Sequence, residues 1–270
     1  MRGGALWSGL GGGPWLEDTG SLRDSPGTDA RPRYHRRHEN RCGDNRLFNH
    51  SAVSKSLTAA ELELLSARTL AHYDASAESF QEGTRTHDVS QNYAALLGAI
   101  EGPPPFRLLD FGCGPGRDLA YFRSLGHEAV GLDGSARFVE MARATSGCEV
   151  MHQNFLRLSL PAARFHGVFA NASLFHVPTQ ELPRVLGELW SSLVFRGVLF
   201  CSNPRGRDTE GFSGDRYGAF HSLETWREHV TSAGFSEIEH YYRPAGKPRS
   251  EQPWLATVWR QTLLYKEERR

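Results

Sequence analysis

The sequence has few cysteines, no long apolar run and no net charge. Its four cysteines among 270 residues show neither CxxC spacing nor the density of a small disulfide scaffold, which argues against a zinc site and a disulfide framework. No apolar stretch approaches the roughly 18 to 20 residues that cross a bilayer. The 31 basic and 31 acidic side chains cancel, so no overall field draws the chain to nucleic acid or anionic lipid. We therefore expect a globular cytoplasmic protein with reduced thiols, no resident metal and a small or neutral partner.

The chain divides by composition into three parts. Residues 1–55 are rich in glycine, contain a cluster of arginine and histidine and lack a periodic apolar pattern, so we predict a disordered extension. Residues 56–104 are predicted to form an N-terminal helical segment, because two helical patterns there precede a proline-rich break. Residues 105–262 remain for the main domain.

This helical segment contains signals for the start of two helices. Thr58 and Glu61 have the spacing of a capping box, which predicts a long helix after Thr58. Asp88 or Ser90 is a candidate cap for a second helix.

Short apolar runs alternate with helical patterns through the main domain. The strand-like runs are 107–111, 127–132, 148–152, 166–171, 197–202, 236–242 and 254–259. Their alternation with helices predicts an α/β fold, a mostly parallel sheet with helices on both faces. The last two runs have no full helix between them, so we expect an antiparallel hairpin at one edge. The polar segment 202–220 is predicted to be a long loop, in which Arg205 or Tyr217 is a candidate to pair with an acidic substrate group.

The first predicted strand ends in an acid, Asp110, that is followed by glycines at alternate positions. These are Gly112, Gly114 and Gly116. They allow a turn and a close approach of backbone to ligand that side chains would forbid. A dinucleotide fingerprint needs a glycine where Arg117 stands, and an acid beside a pyrophosphate is repulsive. The pattern instead favours a ligand with a cationic group and no phosphate.

A second acid, Asp133, ends the second predicted strand. A carboxylate at that place can accept hydrogen bonds from both hydroxyls of a ribose, so a nucleoside is the predicted ligand. On these residues, 108–119 and 131–135 resemble the first motif and the second-strand acid of the class I S-adenosylmethionine-dependent methyltransferases. The resemblance implies S-adenosyl-L-methionine as cofactor and a Rossmann-like seven-stranded sheet in the order 3-2-1-4-5-7-6.

The resemblance also implies roles for residues around the cofactor. Asp110 and the backbone of 112–116 would lie against the methionine moiety, and Asp133 would hold the ribose. Asn154 stands where relatives often have an acid that binds the adenine amino group, although a turn residue explains it nearly as well. Asn171 follows the fourth strand, beside the methyl group.

The resemblance further implies that 56–104 fold over the cofactor as a helical lid. Candidate catalytic residues come from this lid and from the segment after the fourth strand. By the same resemblance, Tyr73 and Phe80 would contact the sulfonium through cation–π interactions, and Arg85 would face the acceptor. His176 is a candidate general base. Core packing explains Tyr73 and Phe80 at least as well, because they share one helical face, and a structural hydrogen-bonded role explains His176 equally well.

These patterns together predict transfer of a methyl group to a small-molecule acceptor with a thiol, amine or oxygen nucleophile. One alternative is an RNA or protein methyltransferase that docks through the basic tail in 1–55. Another is a cofactor-binding scaffold without catalysis, suggested by Asn154 and by His166, which stands where relatives commonly have an acid.

Overall fold

The computed structural model describes residues 56–262, which form six α-helices and nine β-strands. The predicted disorder of 1–55 lies outside this range. The helices are α1 Ala59–Thr84, α2 Ser90–Ala99, α3 Arg117–Ser124, α4 Ala136–Ser146, α5 Leu182–Ser192 and α6 Leu223–Ser232. The strands are β1 Arg107–Phe111, β2 Glu128–Asp133, β3 Glu149–His152, β4 Phe165–Asn171, β5 Leu193–Pro204, β6 Thr209–Ser213, β7 Arg216–Phe220, β8 Phe235–Arg243 and β9 Trp254–Gln261.

Seven of the strands form one sheet in the order β3-β2-β1-β4-β5-β9-β8. Strands β1 to β5 are parallel, and β9 is antiparallel to both β5 and β8. Because β6 and β7 lie outside this sheet, its order is the 3-2-1-4-5-7-6 arrangement, and the predicted Rossmann-like fold is confirmed. The antiparallel pairing of the last two strands is confirmed as well, with β8 at the edge.

The prediction of a long loop over 202–220 is wrong. Strand β5 extends to Pro204, and β6 and β7 form a separate two-stranded antiparallel hairpin. Its two-residue connection is Gly214–Asp215, with Gly214 at φ +60°, a sequence and conformation typical of tight hairpin turns. The surrounding polar residues hid this signal.

Helix α1 begins as the capping box predicts. The Glu61 carboxylate accepts the Thr58 backbone N–H at 2.7 Å, and the Thr58 hydroxyl accepts the Glu61 N–H at 3.3 Å. Helix α2 begins at Ser90 with Val89 as its N-cap, and Asp88 accepts the Ser90 N–H at 2.9 Å. The capping prediction for α1 is therefore confirmed, whereas that for α2 is wrong, because its N-cap is Val89 and not Asp88 or Ser90.

Apolar side chains fill both faces of the sheet. On one face, Phe169 stacks on Phe200 with ring centroids 5.0 Å apart and meets Phe122 of α3 edge-on at 5.2 Å. On the other face, helix α5 buries its leucines against the sheet. Core packing on both faces orients the strands so that the ends of β1, β2, β4 and β5 open into one cavity. Among the described helices, none is both long and apolar enough to cross a membrane.

Candidate active site

A cavity of about 210 Å³ lies at the carboxyl ends of the parallel strands, beneath helix α1. One side of its wall comes from the turn after β1 and the end of β2. The rest of the wall comes from the segment after β4, which adjoins this turn, from hairpin β6–β7 and from the ends of β8 and β9. Ligands of open parallel sheets bind at this position, where the strand order reverses.

The glycine turn after β1 is shaped by two close approaches. Gly112 has φ +79°, and a Cβ added there would stand 2.4 Å from Ser173 Cβ. Gly114 has φ +51°, and its N–H donates to Asp133 Oδ2 at 2.9 Å. Both glycines line the cavity, as the resemblance implies. Gly116 does not: an added Cβ would stand 2.7 Å from Ala142 Cα, so this glycine lets α3 pack against α4.

Asp133 is a buried carboxylate fixed in the cavity wall. Its Oδ2 accepts the Gly114 N–H and its Oδ1 accepts the Ser135 N–H, each at 2.9 Å. Burial raises the pKa of Asp133 to about 6, although the backbone N–H donors oppose the rise. The carboxylate therefore joins the turns after β1 and β2, and it is mostly ionised at neutral pH.

Asp110 lies beneath the cavity wall and does not line the cavity. It is buried, its Oδ2 has no hydrogen-bond partner among the described residues, and burial raises its pKa well above the usual range, with Asp118 adding to the rise. This carboxyl group is the unsatisfied polar group nearest in sequence to the glycine turn.

A buried network next to the turn was missed in the sequence. Asp118 Oδ1 accepts hydrogen bonds from Arg117 Nε and from the Tyr93 hydroxyl, both at 2.6 Å. Arg117 Nη1 donates to the Thr84 carbonyl at 3.0 Å, which ties the end of α1 to α3. Arg117 and Asp118 both line the cavity. The adjacent opposite charges at the start of α3 were the available signal.

Tyr73 and His176 form a hydrogen-bonded pair in the cavity wall. His176 Nδ1 lies 2.6 Å from the Tyr217 carbonyl oxygen, which can only accept, so Nδ1 carries the proton. Nε2 therefore accepts from the Tyr73 hydroxyl at 2.8 Å. Burial lowers the pKa of His176 to about 4, and burial raises the pKa of Tyr73 although Arg216 opposes it. Both side chains are neutral at pH 7.

The aromatic lid residues face the cavity and also pack on one another. The Tyr73 and Phe80 ring centroids are 5.7 Å apart, and both rings meet Phe138 of α4 at 5.6 and 5.3 Å. The two interpretations of these residues are therefore compatible. Arg85 lies outside the cavity: its side chain is 67% exposed and pairs with Glu82 at 3.3 Å. The last turn of α1 directs it to solvent.

Both asparagines line the cavity, and each has a structural partner. Asn154 Oδ1 accepts the Leu156 N–H at 2.9 Å, which is the turn role considered for it. Asn171 Oδ1 accepts from Asn92 Nδ2 at 2.9 Å, so the end of β4 is tied to α2. These bonds fix both amides at the wall.

The arginines that line the cavity near β7 and the end of β8 differ from the predicted one. Arg216 and Arg243 line it, whereas Arg205 and Tyr217 do not. Arg205 donates to the Arg249 carbonyl at 3.0 Å. Tyr217 is buried, with its N–H donating to Thr69 Oγ1 of α1, because the register of the hairpin turns its neighbour Arg216 toward the cavity.

His166 stands far from this site. It is at the amino end of β4, where its Nδ1 accepts the Arg107 N–H at 2.9 Å. Its replacement of an acid therefore leaves the cavity wall unchanged.

Residues 108–197, which contain the glycine turn, Asp133 and the pair partner His176, match the family model of the methyltransferase domain. This part of the chain is a methyltransferase domain. The methyltransferase domain thus spans the strands and turns that build the cofactor side of the cavity.

Known proteins resemble this methyltransferase domain in sequence and in fold. The 24-methylenesterol C-methyltransferase 2 of Oryza sativa subsp. japonica is 34% identical over 123 residues, which cover 43% of this chain and 32% of the relative. The chain therefore spans about a third of the length of this curated relative. The 1,6-didemethyltoxoflavin-N1-methyltransferase of Burkholderia thailandensis, solved with 1,6-didemethyltoxoflavin and S-adenosylhomocysteine, has a TM-score of 0.61 and 20% identity, covering 78% of this chain and 93% of that chain.

The same fold also serves a different reaction. The 4+2 cyclase SpnF has a TM-score of 0.59 and 16% identity, covering 74% of this chain and 97% of that chain. The fold therefore does not determine the reaction of the methyltransferase domain, and the site must carry that argument. Within 56–262, no cluster of three or more metal-ligating side chains is present.

The residues of the methyltransferase domain fit S-adenosylmethionine. The Gly112 turn leaves no room for side chains at the wall, Asp133 presents an ionised carboxylate beside it, and Asp110 keeps an unsatisfied oxygen behind it. Rings of Tyr73 and Phe80 supply aromatic surface for a cation.

Proposed function

We propose that this protein transfers a methyl group from S-adenosylmethionine to a small-molecule acceptor. One observation supports the proposal most strongly: a single cavity is lined by the Asp133 carboxylate and the glycine turn and also by the Tyr73–His176 pair. The first set suits a nucleoside with a cationic amino-acid end. The second set supplies a group that accepts a proton.

The protein would hold the cofactor mainly through groups that are already in place. Asp133 would accept the ribose hydroxyls, because its backbone bonds fix it while leaving lone pairs free. Asn154 would contribute its amide near the adenine, and Phe80 would lie against the cation. When bound, the cofactor supplies an electrophilic methyl group on a sulfonium, which needs no metal or covalent assistance from the protein.

The Tyr73–His176 pair would take the proton that the acceptor loses. His176 Nε2 is unprotonated at neutral pH and already accepts from the Tyr73 hydroxyl. Tyr73 would take the proton of the attacking O–H, N–H or S–H group and pass its own to Nε2. The positive charge that the sulfonium loses would then appear on His176. Because the pKa of His176 is about 4, the pair is a weak base and suits acceptors that ionise readily.

The lid favours an acceptor of limited size. Helix α1 lines the cavity along most of its length, and Arg117 bonds to its last turn. We therefore propose 56–104 as the lid and 105–262 as the cofactor-binding domain. The names of the sterol and toxoflavin-precursor methyltransferases both denote small-molecule acceptors, which agrees with this size.

Calorimetry with S-adenosylhomocysteine tests the cofactor part of the proposal. We expect binding to the full chain, loss of that binding in Asp133→Asn, and normal binding in Asp215→Asn. Asp215 is the matched control, since it is exposed, pairs with Arg68 and lies outside the cavity. Absence of binding in the unchanged protein would contradict the proposal.

A labelling experiment tests the acceptor part. The protein is incubated with methyl-labelled S-adenosylmethionine and a cell extract separated into small molecules, RNA and protein. We expect label in the small-molecule fraction, reduced in Tyr73→Phe and His176→Gln. Label confined to RNA or protein would instead support the docking alternative, and binding without any labelled product would support the scaffold alternative.

A further inference from the structure

Among residues 56–262, the cavity-lining arginines Arg216 and Arg243 have no carboxylate partner. Arg216 begins β7 in the separate hairpin. Arg243 ends β8, the edge strand of the main sheet on the side away from β2, which carries Asp133. Within the described residues neither forms an ion pair, in contrast to Arg117, which bonds to Asp118 at 2.6 Å. Both arginines line the cavity.

Within the described residues, neither guanidinium group is hydrogen-bonded to a carboxylate. Arg243 donates to the backbone carbonyl of Asp88, whose carboxylate accepts the Ser90 N–H instead. Burial lowers the pKa of Arg243 and the charge of Arg117 adds to the effect, although Tyr241 and the Asp88 carboxylate oppose it. Arg216 lies close to the neutral pair Tyr73–His176.

Unpaired cations at a cavity wall are costly unless a ligand supplies the missing charge. Arginine keeps its charge in proteins, so it cannot escape the cost by losing a proton. The cofactor has one carboxylate, which can neutralise at most one of Arg216 and Arg243, since Arg117 already pairs with Asp118. At least one guanidinium then remains for a second ligand.

We infer that the methyl acceptor carries an anionic group, a carboxylate or a phosphate, that binds Arg216 and Arg243. Arginine suits both groups because its planar fork donates two parallel hydrogen bonds. An anion on Arg216 places the remainder of the acceptor next to the Tyr73 hydroxyl, where its nucleophile is deprotonated. This inference rests on the proposed function and names the acceptor class of the same site.

Anion titrations of the protein saturated with S-adenosylhomocysteine test the inference without measuring turnover. Inorganic phosphate and succinate are titrated in separate arms at constant ionic strength, with chloride as the reference, and binding is followed by calorimetry and by arginine side-chain NMR. We expect at least one of the two anions to bind. Arg216→Gln and Arg243→Gln should each weaken its binding about tenfold or more, the loss of a charge-assisted contact.

Two further variants separate recognition from general charge and folding effects. Arg207→Gln is the matched control, because Arg207 is exposed, lies between β5 and β6 and is outside the cavity. It should bind the anion like the unchanged protein. Arg216→Lys keeps the charge but not the fork and should bind better than Arg216→Gln.

The outcomes separate this inference from the proposed function. Binding of phosphate alone or of succinate alone supports the inference and identifies the group. The inference is overturned if neither anion binds, if Arg207→Gln weakens binding as much as the cavity variants, or if S-adenosylhomocysteine displaces the anion. Failure of S-adenosylhomocysteine to bind contradicts the proposed function, and the same titrations on the free protein then decide the anion site.

Discussion

Replacing Gly116 by alanine is expected to destabilise the fold through two separable effects. Gly116 is the N-cap of α3 at φ +90°, a region that costs an L-residue about 1–2 kcal/mol. An added Cβ would also stand 2.7 Å from Ala142 Cα and 3.0 Å from the Ala142 carbonyl oxygen, and these backbone atoms of α4 cannot move aside alone. Overpacking of this kind costs about 1–3 kcal/mol, so the total loss is about 2–5 kcal/mol.

Two other glycines separate these effects. Gly102 has φ +89° but nothing within 4 Å of an added Cβ, so Gly102→Ala should lose only the backbone part, about 1–2 kcal/mol. Gly98 lies in α2 with the same open space and no positive φ, so Gly98→Ala should gain about 0.5 kcal/mol.

Urea unfolding followed by circular dichroism and tryptophan fluorescence measures the series. With an m-value of about 2–3 kcal/mol/M, the midpoint of Gly116→Ala should fall by about 1–2 M, well below that of Gly102→Ala. Folded Gly116→Ala should keep its affinity for S-adenosylhomocysteine, because Gly116 does not line the cavity. Equal midpoints for Gly116→Ala and Gly102→Ala would refute the crowding argument. If Gly116→Ala instead lost affinity for S-adenosylhomocysteine and kept its stability, Gly116 would contact the cofactor as the resemblance implied.

Three further predictions concern ionisation and the buried network. Because the pKa of Asp133 is about 6, S-adenosylhomocysteine binding should weaken roughly tenfold per pH unit below that value, and the control Asp215→Asn should keep the same dependence. The pKa of His176 is about 4 when folded and about 6.5 when unfolded, so the unfolded state binds more protons between these values. The unchanged protein should therefore lose up to about 3 kcal/mol relative to His176→Gln as the pH falls from 6.5 to 4, and melting curves that stay parallel would contradict this. Tyr93→Phe removes a donor to Asp118 and should cost about 1–2 kcal/mol of stability while leaving cofactor affinity unchanged; weaker binding with an unchanged Tm would show that the network acts on the ligand.

The cofactor side of the site was predictable because its parts are close in sequence. The glycine turn and Asp133 each follow an apolar strand directly, and adjacent parallel strands end at the same edge of a sheet. Gly116 shows the limit of this reasoning. Its spacing indicated ligand contact, but whether backbone or ligand fills the space beside it depends on how closely α4 approaches α3.

Two arginines that were predicted to contact the acceptor, and that lie outside the cavity, illustrate the same limit. Arg85 and Arg205 carry the charge expected of acceptor-binding residues, but Arg85 points to solvent at the end of α1 and Arg205 bonds to a loop carbonyl. Arg216 was overlooked because a tight hairpin within a polar stretch decides which of two neighbouring residues faces inward.

The sequence by itself determined the alternation of strands and helices, the turn after β1 and the acid after β2, since periodicity and turn chemistry are local properties of the chain. Only the tertiary structure decided the acceptor side, where α1, the segment after β4, β7 and the end of β8 meet. Those segments are distant in sequence and join through contacts such as Tyr73 with His176, which leave no periodic trace in the chain. Packing of the lid on the sheet, a property of the whole fold, brings the two halves of the site together.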